Sequence, residues 1–139
     1  MGAKKVFEAD DESVILSSEP TPWTIDNLIY LDLEIWQTLI EFVRQFSEAD
    51  AEQLERYGRA GFGEHLENRT PEHLMDFRRI LEACLQKLET APERLHTVMA
   101  QLELENPLID DEYKRILQIF LTFLEKCLKK KVFYSAWTE

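Results

Sequence analysis

A chain of 139 residues with 45% hydrophobic content is long enough to bury a real core within one domain. Its 27 acidic against 16 basic residues leave a formal charge of −11, which argues against a broad electropositive face for nucleic acid and makes a basic partner the more plausible one. No run of about 20 apolar residues occurs, because Lys114, Arg115, Gln118, Glu125 and Lys126 interrupt the best candidate, so no membrane-spanning helix is expected.

Residues 1–22 read as an acidic, flexible tail. Glu8, Asp10, Asp11 and Glu12 are followed by Ser17, Ser18, Pro20 and Pro22 without any helical period. Inside it, Ser13-Val14-Ile15-Leu16-Ser17 has some strand character and could pack across the domain or dock on a partner. Residues 23–139 read as a single helical-bundle domain. Thr24 is a good N-cap for a first long helix near 24–46, in which Leu28, Leu31, Ile35, Leu39, Phe42 and Phe46 follow the three-to-four spacing of a buried stripe. Ser47-Glu48-Ala49-Asp50 has capping-box spacing and opens a short helix near 48–57 that uses Ala51, Leu54 and Tyr57. Gly58, Gly61 and Gly63 then break the pattern into a loop.

Thr70-Pro71 starts a third helix near 71–89, with Pro at the first helical position, where its missing donor costs nothing. Leu74, Phe77, Leu81, Cys84 or Leu85, and Leu88 form its stripe. Thr90-Ala91-Pro92-Glu93 repeats the capping logic for a fourth helix near 91–105, which must stop before Asn106-Pro107. The fifth, near 110–131, is apolar around most of its circumference, leaving Lys114, Gln118, Thr122, Glu125 and Lys129 as a narrow polar seam. A helix of that kind belongs at the centre of a bundle. Asp110, Asp111 and Glu112 at its start and Lys129, Lys130 and Lys131 at its end oppose the helix dipole at both termini. The expected fold is therefore all-α, an up-down bundle of four long helices plus one short one, with no period-2 run long enough to demand a sheet. Cys84 and Cys127 fall on apolar helical positions and read as reduced core residues. Beyond the last helix, Phe133, Tyr134 and Trp137 make an aromatic tail that either folds back or binds something.

No apolar leader follows Lys4 and Lys5, and with two core thiols the protein is expected in the cytoplasm. Three constellations could carry chemistry or binding. Glu93 and His96 have the Glu-x-x-His spacing of di-metal bundles, but a second copy is missing, so the metal reading rests on one pair with Glu34 or Glu41 as possible further carboxylates. Arg59 and His65 loosely resemble the Arg-and-His motif of the HEPN ribonucleases, which are helical bundles of about this size. The resemblance covers those two residues and implies RNA cleavage at them. In that family a polar residue, usually Asn, follows the Arg, whereas Ala60 follows Arg59 here.

The third is charge. Residues 23–68 hold ten acids against three bases, while residues 107–139 hold five against six, so one face should be strongly negative. The expected function is a non-enzymatic interaction module, such as an adaptor, inhibitor, immunity-type protein or regulatory subunit. It would bind a basic protein partner through Glu34, Glu41, Glu48, Glu52, Glu55 and Glu64, with Phe133, Tyr134 and Trp137 as aromatic contacts. No catalytic set, cofactor, metal, direct nucleic-acid contact or membrane contact is expected. A small helical metal-binding or ribonuclease-type enzyme is the alternative.

Overall fold

The computed structural model describes residues 4–5, 13–17, 28–58, 71–104, 107–130 and 135–138. The elements in chain order are β1 (Lys4–Lys5), β2 (Ser13–Ser17), β3 (Leu28–Asp32), α1 (Leu33–Arg44), α2 (Glu48–Tyr57), α3 (Pro71–Thr90), α4 (Pro92–Leu102), α5 (Asp110–Lys130) and β4 (Ser135–Thr138). Among the described residues the body is an all-α bundle of five helices, as the hydrophobic periodicity requires.

The greasiest helix buries one face and leaves the other to solvent, so it flanks the core and is not surrounded by it: Arg115, Gln118, Thr122, Glu125, Lys126 and Lys129 line its exposed side. Tyr113, Ile116, Leu117, Phe120, Phe123, Leu124 and Cys127 of α5 are all buried, and α3 packs along it through Leu74, Phe77, Ile80, Leu81, Cys84 and Leu88. Trp36 of α1 stacks on Phe120 at 5.4 Å between ring centroids and meets Phe77 edge-on at 6.4 Å, so three helices share one aromatic cluster. The one buried polar side chain among the described residues, Thr38, is satisfied within its own helix by donating to the Glu34 carbonyl at 2.8 Å. Both cysteines are unpaired and buried, and burial pushes the Cys84 thiol up to about 12 and the Cys127 thiol up to about 11.

The first long helix is shorter than expected. Leu28–Asp32 is strand, and α1 begins only at Leu33, because the Asp32 carboxylate accepts the Glu34 N–H at 2.9 Å and caps the helix there. Ile29 and Leu31, two positions apart, are both buried, as in a strand, yet the same run of apolar residues also satisfies a helical spacing. Pairing decided between them. β2 runs antiparallel to β3 over all five residues, Ser13 opposite Asp32 through Ser17 opposite Leu28, and β4 pairs antiparallel on the other side of β2 with Ile15 opposite Trp137. With β1 parallel to β3, the sheet order is β1-β3-β2-β4. The run Ser13–Ser17, counted above with the tail, is thus the strand that joins the two chain ends, and the last segment folds back onto it. Short strands joined from opposite ends of a chain leave little local trace, which is why the period count found no sheet.

The α3–α4 junction differs too. Thr90 belongs to α3, where its hydroxyl donates to the Gln86 carbonyl at 3.0 Å, and Ala91 occupies the N-cap of α4 without a side-chain bond. α4 ends at Leu102, three residues before the expected stop, with Glu103 in the left-handed region at φ 51°.

Candidate partner-binding surface

The acid-rich corner is built by α1, α2 and α3. Ser47 caps α2, its hydroxyl accepting the Asp50 N–H at 3.2 Å, and this places Glu48 and Asp50 in the first turn, where the helix dipole favours them. The apolar side of α2 buries Ala51, Leu54 and Tyr57, leaving Glu48 and Glu52 exposed and Glu55 half-buried. α2 lies antiparallel to the start of α3, since Asp50 meets Arg79 while Tyr57, seven residues on, meets Asp76 and Phe77.

This surface is not bare carboxylate. The Arg44 guanidinium joins two of the expected residues, with Nε 3.2 Å from both Glu41 oxygens and a terminal nitrogen 2.6 Å from Glu48. The hydrogen bond to Glu48 raises Arg44 above its ordinary value; burial opposes it, and the charge of Glu41 adds a lesser push in the same direction as Glu48. Arg79 bridges Asp50 at 3.0 Å and Asp76 at 2.9 Å, and those two hydrogen bonds raise it likewise. Tyr57 donates to Asp76 at 2.6 Å. Burial first, and then that hydrogen bond, push the Tyr57 hydroxyl well above the usual phenol range. Burial would raise Asp76, but the hydrogen bonds from Tyr57 and Arg79 outweigh it and hold the carboxyl below its ordinary range. His73 lies against the Tyr57 ring at 4.3 Å.

Of the expected site residues, Glu41 and Glu48 are thus brought together, and Glu52 and Glu55 follow Glu48 along the same short helix. Glu34 is placed apart, half-buried in the first turn of α1. Glu64, Phe133 and Tyr134 lie outside the described residues, as do Arg59 and His65. Trp137 is in β4, in register with Ile15. His96, considered above as a metal ligand with Glu93, faces Asp110 across the α4–α5 hairpin, with Nε2 at 2.9 and 3.1 Å from its two oxygens. Among the described residues no three His, Cys, Asp or Glu side chains converge as a metal site would require. No helix among them is long and apolar enough to cross a membrane.

Only one of the arginine bridges that offset the acid has a signal in the sequence. Glu41-Arg44-Glu48 was legible there, because residues three and four apart share a helical face. The Tyr57–Asp76 and Asp50–Arg79 links were not, since they join separate helices 19 and 29 positions apart. Comparison of the chain with protein-family models, with curated proteins and with solved structures found no match.

Proposed function

We propose that the protein is a non-enzymatic interaction module that binds a basic protein partner through the acidic corner of α1 and α2. The observation that carries the reading is the placement of acid on α2. Glu48 and Glu52 are exposed on a rigid, capped helix, within a stretch, residues 23–68, holding ten acids against three bases. Charge of one sign on a fixed scaffold accelerates encounter with a complementary surface and rejects like-charged competitors. Arg44 and Arg79 fix the orientation of Glu41, Glu48 and Asp50 beforehand, which reduces the side-chain ordering that binding would otherwise cost. Glu55 continues the field along α2, and Glu34 and Glu64 add charge of the same sign elsewhere in the chain. The two buried, unpaired thiols fit a reducing compartment such as the cytoplasm.

The test is to recover a partner with the full chain as bait and map its footprint by amide hydrogen exchange. Slowed exchange over α2, produced by a partner with a Lys/Arg-rich face, is the expected result. A footprint that leaves α2 unchanged would rule the acidic corner out as the contact.

A further inference from the structure

Four of the cations placed on the described helices are held by the chain's own carboxylates. Arg44 meets Glu41 and Glu48, Arg78 meets Glu82 at 4.0 Å, Arg79 meets Asp50 and Asp76, and Lys114 meets Asp111 at 4.0 Å. Lys87 and Arg94 are different. Lys87 Nζ stands 5.1 Å and the Arg94 guanidinium carbon 5.4 Å from the centroid of one ring, Phe46. Neither is in an ion pair with a carboxylate among the described residues, although Glu89 and Glu93 are exposed close by in sequence. Phe46 itself is 37% exposed, just past the end of α1, with Phe42 edge-on behind it at 5.3 Å. The end of α1, the end of α3 and the first turn of α4 therefore converge on an exposed aromatic ring flanked by two exposed cations.

Attraction to a ring face holds a cation in place without neutralising it and without consuming its hydrogen-bond donors. We propose that this corner is a docking site for a carboxylate-bearing peptide segment of a partner protein, a surface of opposite sign to the acidic corner of α1 and α2. The planar fork of Arg94 matches a carboxylate in two parallel hydrogen bonds, Lys87 adds a point charge beside it, and the exposed part of Phe46 receives an apolar residue next to the acid. A peptide fits better than nucleic acid or an anionic membrane. The formal charge of −11 repels an extended array of phosphates at range, whereas a single carboxylate is engaged at contact distance, where the local cations dominate.

The experiment follows backbone amide shifts of the full chain during titration with the synthetic peptide acetyl-Gly-Glu-Phe-Glu-Gly-amide and, separately, with inorganic phosphate. The expected result is a saturable shift centred on Phe46, Lys87 and Arg94 with the peptide, weakened about tenfold by Arg94→Glu. Lys87→Met keeps an unbranched side chain of similar length and removes the charge of an exposed residue, so it should weaken peptide binding while leaving the unfolding midpoint in place. No peptide-dependent shift at the corner up to ~5 mM would overturn the proposal, leaving the ring and its cations as a purely structural clamp between helices. The same shifts with phosphate at the same concentrations would also overturn it, by showing a small-anion site and not a peptide site.

Discussion

At Gly58 the sequence offers little reason for a glycine beyond the end of a helix, yet the fold demands one. A Cβ built there would sit 2.7 to 2.9 Å from the indole of Trp36, which is buried and stacked on Phe120, so it has nowhere to retreat. The backbone at Gly58, with φ −75°, would accept any residue, and the constraint is purely the close approach. Gly58→Ala should therefore cost about 1 to 3 kcal/mol in denaturant unfolding, and a neutral effect would mean that Trp36 has slack. A second residue-scale expectation concerns pH. The folded Asp76 carboxyl lies below its ordinary range, so its contribution is present at neutral pH and is lost as the pH falls through that lowered value. The Tyr57 hydroxyl is raised, so its contribution is complete below the ordinary phenol value and declines as the pH climbs past it. Tyr57→Phe should lower stability by about 1 kcal/mol at neutral pH and flatten the alkaline decline, read from urea midpoints across the pH range. An unchanged alkaline limb would place the titrating group elsewhere.

Among the elements, α5 carries the bundle. Leu124 is fully buried on it, and Leu124→Ala should destabilise by about 2 to 5 kcal/mol, whereas a change near zero would show the helix to be peripheral. β2 plays the corresponding part for the sheet, paired on one side with β3 and on the other with β4. Ile15→Pro removes a backbone donor from the middle of that strand and should expose the amides of β4 to exchange while α3 and α5 stay protected. If β4 keeps its protection, the sheet is held by something other than its ladder. The two elements also mark what the sequence could and could not say. α5 was legible because a long apolar stripe with acids at one end and lysines at the other admits a single reading. α2 was legible from the capping spacing of Ser47 to Asp50 and the apolar positions Ala51, Leu54 and Tyr57. β3 was not, because Leu28–Leu31 satisfies a period of two and of 3.6 equally well, and the strand that settles the choice lies at Ser13–Ser17, outside any local window.

Over the whole molecule, charge is sorted and not merely abundant. The surplus acid lies on α1, α2 and the segment that follows, while the end of α5 carries Lys126, Lys129 and Lys130. Composition revealed that asymmetry. The pairing of Arg44 with Glu41 and Glu48, and of Arg79 with Asp50 and Asp76, depends on how the helices are assembled, so the portion of the field left for a partner emerged only with the fold. The same holds for the Phe46 corner, where Lys87 and Arg94 come from two helices that no spacing rule connects.

The central claim is that the acidic corner steers a basic partner onto the protein. The most direct measurement is the association rate of the purified partner as a function of ionic strength, for the native chain and for the triple variant Glu48→Lys, Glu52→Lys, Glu55→Lys. The account predicts fast association that slows with added salt in the native chain, and slower association with a flattened salt dependence in the variant, at an unchanged unfolding midpoint because Leu54 and Tyr57 are untouched. A rate indifferent both to salt and to the three reversals would contradict it.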